Sequence, residues 1–455
     1  MTNLVNHQPP PGVGTALDDT ALLTDQYELT MLQASLLSGA AGRRAVFEVF
    51  ARHLPHGRRY GVVAGTGRLL DAITQFRFGP ADLEFLGGAG IVDEPTLAFL
   101  ESYRFGGNIW GYSEGDCYFP GSPILVVEGT FAEAVLLETV TLSILNHDCA
   151  IASAASRMVT AAGDRPIIEM GSRRTHERAA VASARSAYIA GFASTSNLRA
   201  RYEHGIPSAG TSAHAFTLVH DSERHAFETQ LASLGPATTL LVDTYDVPRA
   251  VRTAVEVAGR DLGAVRIDSG DLPVLARQVR ALLDELGATR TRIVLTGDLD
   301  EFSIAALGAV PVDGYGVGTS LVTGSGAPTA ALVYKLVARA SSADGDEELE
   351  PVAKRSVGKP GRGGRKWAVR HRDEHGIALS ERISLSPPEA GPLDRELLVP
   401  LVTDGQIIGP TGAEGVEEAR ARHRETLAEL PPYALQLSRG YPAIPTLFEP
   451  DGSEP

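Results

Sequence analysis

The feature that most constrains this chain is a repeating alternation of strand-like and helix-like segments between residues 165 and 325. Short apolar, β-branched runs recur at intervals of roughly 20 to 30 residues, and helical patterns such as THERAAVASARSAY lie between them. Such alternation is typical of βα units that build a parallel sheet. We therefore predict an α/β fold with an irregular seven-stranded (β/α) barrel, and a doubly wound open sheet is the alternative. The predicted strands are RPIIEM, YIAGFA, IPSAG, TTLLVDT, AVRIDS, RIVLTG and VDGYGV.

Small, polar or charged residues follow every predicted strand. These successors are GSRRT, STSN, TSAH, YD, GDL, DLD and GTS. The carboxyl ends of barrel strands converge on one mouth, where such folds place their chemistry. We therefore expect these residues to form one site.

The segments on either side of the barrel have a different pattern. VFEVFARHLPHGRRYGVVAG alternates like a strand, EPTLAFLESYRF indicates a short helix, and WAVRHRDEHGIALSERISL is again strand-like. These patterns predict a second, smaller α+β domain formed from both chain ends. The predicted parts are a disordered N-terminal segment at 1–18, the first part of the small domain with a connecting helix at 19–145, the barrel at 146–338, a flexible loop at 339–366, and the rest of the small domain at 367–455.

Composition excludes several classes of protein. The net charge of −15 disfavours nucleic acid and anionic membranes as partners, because both require a basic surface. Only two cysteines occur, which excludes a disulfide framework and a Cys-rich zinc site. No apolar run is long enough to span a bilayer, and the first residues lack the basic and apolar parts of a secretory signal. We therefore expect a cytoplasmic enzyme that binds any anionic substrate through a local cluster of donors.

A glycine-rich stretch, GYGVGTSLVTGSG at 314–326, follows the last predicted strand. Gly316 and Gly318 allow the backbone to approach a ligand closely, and Thr319 adds a hydroxyl donor. Backbone N–H groups of such a turn can bind a phosphate. The alternative is that these glycines serve only tight turns.

The stretch VRIDSGDL at 265–272 places Arg266 and two aspartates around Ser269 and Gly270. Carboxylates beside a hydroxyl suit a ribose diol, or a Mg²⁺ ion that is itself bound to phosphates. Asp-Ser-Gly-Asp is also a common turn and helix-cap sequence. Arg173 and Arg174, in MGSRRTHE, could bind a carboxylate or phosphate, or form ion pairs at the rim. For Asp243 and Asp246 in VDTYD, and for Tyr27 in TDQYELTM, the pattern alone leaves a structural role open.

Together these segments resemble the nicotinate phosphoribosyltransferase family. The ordered set is specific, although each motif by itself is weak. The matching segments are LLTDQYELTM, GSRRTHE, GFASTSN, GTSAHAF, LVDTYDV, RIDSGDL, GVGTSLVT and VYKLV, with KRSVGKPGRGGRKWAVR resembling a later basic segment.

The resemblance implies an activity in NAD salvage. Nicotinate and 5-phosphoribosyl diphosphate would give nicotinate mononucleotide and pyrophosphate, coupled to ATP hydrolysis and dependent on Mg²⁺. It also implies an irregular α/β barrel with a smaller domain made from both chain ends. A homodimer whose active site is completed across the interface is implied as well.

The resemblance also assigns roles to individual residues. His214 aligns with a histidine that the family phosphorylates from ATP, whereas His220 and His225 have no such match. For nicotinate, Thr211, Arg266 and Tyr27 align with binding positions, and Arg173 could supply a second cation. The residues expected to bind phosphoribosyl diphosphate are Asp268, Ser269, Gly270, Gly316, Gly318 and Thr319.

Two other activities and one non-catalytic role compete with this interpretation. Nicotinamide phosphoribosyltransferase would need an acidic acceptor near the ring, whereas GFASTSN offers Ser194, Thr195 and Ser196. Quinolinate phosphoribosyltransferase would need further cations and no phosphorylated histidine. A non-catalytic barrel that binds pyridine nucleotides has little reason to retain His214, Arg266, Asp268 and the glycine-rich stretch together.

Overall fold

The structure is a computed structural model that describes residues 20–343, 348–354, 361–408 and 411–449. The predicted disordered segment at 1–18 lies outside these residues, as do parts of the predicted loop at 339–366. The chain divides into two compact units. The central unit is Ala154–Gly326, and the composite unit combines the residues up to Ser153 with those from Ala327 onward.

The N-terminal part of the composite unit mixes helices and strands. Local signals begin and end these helices: Asp93 accepts a hydrogen bond from the Thr96 N–H at one start, and Gly39 ends the first helix with a φ of 74°. The helices are α1 (Gln26–Ser38), α2 (Thr66–Gln75), α3 (Pro80–Gly88), α4 (Glu94–Ser102), α5 (Phe131–Val135) and α6 (Glu138–Ala162), which contains the unit boundary; the strands are β1 (Arg44–Ala51), β2 (Gly61–Val62), β3 (Asn108–Gly111), β4 (Cys117–Tyr118) and β5 (Leu125–Thr130).

The central unit contains a parallel sheet whose strands are joined by helices. Its strands are β6 (Ile167–Glu169), β7 (Ser194–Thr195), β8 (Thr239–Leu241), β9 (Ala264–Ile267), β10 (Arg292–Leu295) and β11 (Gly314–Val317). Its helices are α7 (Glu177–Ile189), α8 (Leu198–His204), α9 (His214–Leu218), α10 (Glu223–Leu234), α11 (Val247–Ala258), α12 (Leu272–Glu285), α13 (Glu301–Ala306) and α14 (Thr319–Val322). The strand order is β7-β6-β11-β10-β9-β8, and every pair is parallel.

This curled, half-barrel sheet confirms the predicted α/β class, but the count of seven strands is not confirmed. The prediction for YIAGFA is wrong, because Tyr188 and Ile189 end α7 and the strand begins only at Ser194. The alanine-rich run before them favours continued helix. IPSAG contributes one bridge, between Ser208 and Thr195. Pro207 has no N–H group and therefore cannot extend the ladder.

The C-terminal part of the composite unit is mostly strand. Its elements are β12 (Leu332–Arg339), β13 (Glu350–Pro351), β14 (Trp367–Arg372), β15 (Ala378–Ser384), β16 (Asp394–Glu396), β17 (Val399–Thr403), β18 (Gln406–Ile407), β19 (Thr446–Phe448) and α15 (Gly412–Glu429). None of the helices in the described part of the chain combines the length and apolar character that a membrane crossing requires.

Strands from both chain ends share the largest sheet of the composite unit. The largest sheet has the order β13-β12-β1-β5-β3-β17-β18, in which β1 pairs with β12 on one side and β5 on the other. A four-stranded sheet has the order β16-β14-β15-β19. The additional sheet-containing domain is therefore present. It is the larger unit rather than the predicted smaller one, because both flanks and most of α6 belong to it.

Candidate active site

The carboxyl ends of β8, β9 and β10 bring three polar residues into contact. Asp243 follows β8, Asp268 follows β9, and Thr296 follows β10. The backbone N–H of Asp268 donates to Asp243 Oδ2 at 2.9 Å, and the Thr296 hydroxyl donates to Asp268 Oδ1. Hydrogen bonds thus link polar residues of three adjacent parallel strands at the carboxyl end of the sheet.

His214 lies at the start of α9 and contacts the end of β8. Its Nδ1 is 3.2 Å from Thr244 Oγ1, and its Nε2 is 3.8 Å from Asp243 Oδ1. The His214 side chain is 39% exposed, whereas that of Asp243 is 2% exposed. The imidazole is therefore accessible from solvent while a buried carboxylate lies against it.

Asp243 has an unusual distribution of contacts. Its Oδ2 accepts hydrogen bonds from the Asp268 N–H and from the Ser269 hydroxyl, the latter at 2.7 Å. Its Oδ1 is buried and accepts no hydrogen bond from the residues that the structure describes. A buried carboxylate oxygen favours a positive charge nearby. Asp243 is thus placed to stabilise a cationic form of the His214 ring.

Arg266, Asp268 and Thr296 form a closed set of contacts. Arg266 donates from Nε to Thr296 Oγ1 at 2.9 Å and from one terminal nitrogen to Asp268 Oδ1 at 2.7 Å. Burial alone would raise the pKa of Asp268. The hydrogen bonds from Thr296 and Arg266, with the charges of Arg266 and His214, hold that pKa below its ordinary value. The carboxylate is therefore ionised and oriented.

The glycine-rich stretch begins on β11, beside β10. A Cβ at Gly316 would lie 2.6 Å from Thr296 Cγ2 and 2.7 Å from Met170 Sδ, which is closer than real side chains approach. At Gly318, the backbone angles are φ −122° and ψ −93°, and α14 begins at the exposed Thr319. Gly316 is thus required by packing, while Gly318 connects the carboxyl end of β11 to the start of α14.

The other predicted residues are not joined to this set by hydrogen bonds. Thr211 and Arg173 are exposed, and Arg173 has no ion pair among the residues of known placement. Gly270 has a φ of 89° and forms the turn after Ser269. Tyr27 belongs to the composite unit, where its side chain is 44% exposed. Burial, with nearby Glu138, Glu28 and Asp25, raises the pKa of Tyr27 to about 12, so the phenol is neutral.

Several other polar residues have structural roles. Asp246 and Asp271 cap α11 and α12, and His176 caps α7. His220 Nδ1 is 2.7 Å from the carbonyl oxygen of Phe216, one turn earlier, and its ring contacts His225. These residues hold local structure together.

Sequence reasoning did not assign Thr296 or Glu169, and it left Asp243 open. Glu169 is buried and accepts hydrogen bonds from the Gly171 N–H and the Thr195 hydroxyl, which fixes the turn before Arg173. Burial raises the pKa of Glu169. The sequence feature that could have identified Thr296, Glu169 and Asp243 is their position, because each one ends or follows a strand.

No group of three or more His, Cys, Asp or Glu side chains that could hold a metal ion occurs within the described ranges. A hard cation would need oxygen ligands from a bound substrate in addition to one or two carboxylates.

Comparisons with known proteins give a consistent result. Residues 22–146 match the family described as nicotinate phosphoribosyltransferase (NAPRTase) N-terminal domain. The nicotinate phosphoribosyltransferase pncB1 of Mycobacterium tuberculosis strain H37Rv is 57% identical over 454 residues, covering 96% of this chain and 98% of the relative. The nicotinate phosphoribosyltransferase of Bacillus subtilis is 38% identical, covering 70% of this chain and 67% of the relative.

Solved structures share the fold at lower identity. The crystal structure of human nicotinic acid phosphoribosyltransferase is 24% identical with a TM-score of 0.77, covering 94% of this chain and 97% of the human one. A nicotinate-nucleotide pyrophosphorylase from Pyrococcus furiosus is 24% identical with a TM-score of 0.73, covering 90% and 95% of the two chains.

Proposed function

This chain belongs to the nicotinate phosphoribosyltransferase family, and we propose that it transfers a 5-phosphoribosyl group from phosphoribosyl diphosphate to nicotinate. The products would be nicotinate mononucleotide, for NAD biosynthesis, and pyrophosphate. The observation that carries this proposal is the 57% identity to a relative of that name over nearly the full length of both chains. The contacts at the ends of β8, β9 and β10 supply suitable chemistry.

The substrates' chemistry fits the residues at the sheet edge. Nicotinate is a flat anion, so it requires a cation and an aromatic face. Arg266 supplies the cation, Arg173 is a second candidate, and Tyr27 is the aromatic candidate. Thr211 lies on the loop before His214 and would bind nicotinate through its hydroxyl.

The transfer itself exchanges one bond for another. The pyridine nitrogen bonds to the anomeric carbon as the bond from that carbon to the diphosphate oxygen breaks. The nitrogen already carries a lone pair, so no general base is required. The residues therefore act by aligning the two reactants and stabilising the departing charge.

The phosphoribosyl group would bind along β9 and β11. Asp268, Ser269 and Gly270 suit the ribose and diphosphate, and Gly316, Gly318 and Thr319 suit the 5-phosphate. When bound, Mg²⁺ would neutralise charge on the diphosphate. Arg266 and Thr296 both donate to Oδ1 of Asp268, so Oδ2 is the oxygen that could contact such an ion.

We further propose that ATP phosphorylates His214. One nitrogen of the neutral ring attacks the γ-phosphorus of ATP, the N–P bond forms, and the P–O bond to ADP breaks. The other nitrogen keeps its proton, so the ring becomes positively charged. The buried carboxylate of Asp243, 3.8 Å from Nε2, supports this step because it stabilises that charge. Hydrolysis of the N–P bond would then couple ATP cleavage to the transfer.

A product assay tests the transferase activity. The protein is incubated with phosphoribosyl diphosphate, Mg²⁺ and either nicotinate, nicotinamide or quinolinate, with and without ATP, and each mononucleotide is quantified. We expect nicotinate mononucleotide, formed faster with ATP. The absence of this product under every condition would contradict the proposal, and a preference for nicotinamide or quinolinate would identify a rival activity.

A labelling experiment tests the phosphohistidine. ATP labelled in its γ-phosphate should transfer an acid-labile label to the protein. The label should disappear in His214→Ala and persist in His220→Ala, a matched control because His220 Nδ1 lies against the Phe216 carbonyl oxygen one turn earlier. Label that persists in His214→Ala would assign the role to another residue.

We also propose that two copies of the chain share the active site. Tyr27 and Met31 of α1 are exposed at 44% and 37%, which leaves an apolar surface for a second copy. Co-expression of the variants Tyr27→Ala and His214→Ala should give a higher ATP-stimulated activity than either variant alone, through mixed dimers, if Tyr27 acts in the partner's site. No recovery with the two variants, despite dimers by light scattering, would contradict this arrangement.

A further inference from the structure

We propose that Thr296 is a positioning residue of the active site, whose hydroxyl fixes Arg266 and Asp268 relative to one another. This inference rests on the proposed function, because it assigns Thr296 a role through two residues that would bind nicotinate and the phosphoribosyl group. In the sequence, Thr296 belongs only to the predicted strand RIVLTG and to none of the predicted binding motifs, so its role is recognised from its contacts.

The Thr296 hydroxyl is shared between a cation and an anion. Arg266 donates from Nε to Thr296 Oγ1 at 2.9 Å, and this hydroxyl donates its single proton to Asp268 Oδ1. Arg266 also donates to the same Asp268 oxygen at 2.7 Å. The three side chains form a closed ring of hydrogen bonds. Rotation of Arg266 would leave the hydroxyl without its donor, and rotation of Asp268 would leave it only the longer contact of 3.5 Å with the Ile267 carbonyl oxygen.

Thr296 is more deeply buried than the Arg266 and Asp268 side chains that its hydroxyl contacts. Thr296 is 3% exposed, whereas the side chains of Arg266 and Asp268 are 14% and 35% exposed. The charged groups can therefore reach a ligand, while Thr296 lies beneath them and cannot. A buried polar group that loses its partner is costly, which makes this placement rigid.

The methyl group of Thr296 connects the same residue to the glycine-rich stretch. In the parallel register of β10 and β11, Val294 lies opposite Gly314 and Leu295 opposite Tyr315, so Thr296 comes next, opposite Gly316. A Cβ at Gly316 would lie only 2.6 Å from Thr296 Cγ2. The methyl group thus fills the space that the missing side chain leaves. Threonine supplies both the hydroxyl that bonds Arg266 and Asp268 and the methyl group that packs against Gly316. Serine would keep only the hydroxyl, and valine would keep only the methyl group.

This arrangement predicts that one hydroxyl influences two substrates. In Thr296→Val, Arg266 loses the acceptor for Nε and Asp268 loses a donor, while the shape of the side chain is retained. The KM values for nicotinate and phosphoribosyl diphosphate should each rise by roughly tenfold, since each lost contact involves a charged group. In Thr296→Ser, both KM values should remain within about threefold of the wild-type values, because the hydroxyl is retained.

Thr291→Val is the matched control. Thr291 is 1% exposed and lies just before the opposite end of β10, where its hydroxyl donates to the carbonyl oxygen of Leu262 at 2.9 Å. This variant also removes a buried threonine hydroxyl from the same strand, so it should lower the melting temperature similarly. Both of its KM values should stay at the wild-type level.

The outcomes separate this inference from the proposed function. If wild-type protein forms nicotinate mononucleotide but Thr296→Val has the same KM values as Thr291→Val, the positioning role is wrong and the activity stands. If Thr296→Val does not fold, the KM values of Thr296→Ser test the role of the hydroxyl instead. KM values that rise as far as tenfold in the serine variant, which keeps the hydroxyl, would contradict that role. If wild-type protein forms no nicotinate mononucleotide, the proposed function fails and this inference fails with it.

Discussion

At Gly316, the absence of a side chain is a packing requirement. The two neighbouring strands place Thr296 Cγ2, after β10, and Met170 Sδ, after β6, where a Cβ would lie. The glycine pattern predicted a phosphate-binding role for this residue, but a pattern cannot show which neighbour forbids a larger one. Gly316 therefore serves the site by allowing β10 and β11 to bring their polar ends together.

The first prediction concerns Gly316→Ala. Overpacking of this kind should lower the free energy of unfolding by about 1 to 3 kcal/mol and reduce activity, because Thr296 must shift. Urea denaturation and the product assay measure both effects. Gly88→Ala is the control, since Gly88 is exposed at the end of α3 with no atom within 4 Å of the new Cβ. Equal free energies of unfolding for the two variants would show that the close packing of β10 and β11 at Gly316 does not exclude a side chain.

Sequence reasoning identified some site residues more easily than others. His214, Arg266 and Asp268 each lie in a distinctive motif at a predicted strand end. Asp243 and Thr296 gain their importance from side chains of other elements and turns, about 25 to 30 residues away along the chain. Those contacts depend on strand order and register, which local patterns do not specify.

Among the elements, the turn after α14 is held in a conformation that its sequence does not favour. Ser325 has φ 52° and ψ 47°, in the left-handed region. Its hydroxyl donates to Glu301 Oε2 at 2.5 Å, and Glu301 Oε1 accepts from Arg157 Nε at 3.1 Å. This tether links the end of the glycine-rich stretch to α13 and α6. The conformation persists because the side chain has a buried partner.

The second prediction compares Ser325→Ala with Ser325→Gly. Alanine loses the hydrogen bond and keeps the strained backbone, so the free energy of unfolding should fall by about 1 to 2 kcal/mol. Glycine also loses the bond but relieves the strain, so its stability should lie closer to that of the wild type. Denaturant titration distinguishes them. An alanine variant as stable as the glycine variant would mean that the backbone strain is negligible.

Another inter-element contact joins α1 to the start of α6. Glu28 is fully buried and accepts a hydrogen bond from the Thr139 N–H at 2.9 Å and one from the Thr24 hydroxyl at 2.5 Å. Burial raises the pKa of Glu28 to about 7, although the hydrogen bonds from Thr139 and Thr24 act in the opposite direction. The carboxyl group therefore titrates near neutral pH.

The third prediction follows from the sign of this shift. In the unfolded chain the Glu28 carboxyl ionises near pH 4.5, whereas the folded protein retains the proton to about pH 7. The contribution of Glu28 to the free energy of unfolding is fully present below the unfolded pKa of 4.5. It is lost as pH rises through the folded pKa of about 7, a change of ~3 kcal/mol. The melting temperature of Glu28→Gln relative to wild type should therefore increase between pH 5 and pH 8.

The control for this prediction is Glu101→Gln, at an exposed position in α4. Its melting temperature should follow the wild-type pH dependence. A constant difference between Glu28→Gln and wild type across this pH range would show that Glu28 does not titrate there.

Some strands of the central sheet could be predicted from the sequence and others could not, because the strands differ in length and composition. Five predicted runs contain strands of the central sheet at their predicted places, because each is apolar, β-branched and flanked by turn residues. β7 has only two residues and follows an alanine-rich helix, so no local signal marks it. The bridge at Ser208 requires Thr195 beside it, which only the assembled sheet supplies.

At the scale of the whole molecule, the composite unit depends on contacts between distant parts of the chain. Arg370 of β14 is fully buried and donates to Glu381 Oε1 and to the Cys117 carbonyl, each at 2.6 Å. It also lies 3.8 Å from Asp116 and 3.3 Å from Glu429. One guanidinium thus joins two sheets and α15. The sequence offered no sign of this cluster, because its members are spread over more than three hundred residues.

The fourth prediction concerns Arg370→Met. Removal of the cation leaves Glu381 buried without its ion-pair partner and takes one of two nearby cations from Asp116, which keeps Arg395, so the protein should be destabilised by about 3 to 5 kcal/mol. Arg422→Met is the control in the same unit, because Arg422 forms an exposed ion pair with Glu425 and its loss should change stability by less than about 1 kcal/mol. Thermal unfolding measures both, and similar melting temperatures would contradict the importance of the cluster.

The insertion of the central unit between β1 and β12 has a consequence for synthesis of the chain. A ribosome completes β12 about 290 residues after it begins β1, which takes roughly 15 to 60 s at typical elongation rates. All strands of the central sheet emerge within that interval, so this sheet can assemble during translation. Meanwhile the apolar β1 has β5 on one side and an open edge on the other. The nascent chain therefore passes through a period in which that edge of β1 has no strand with which to pair.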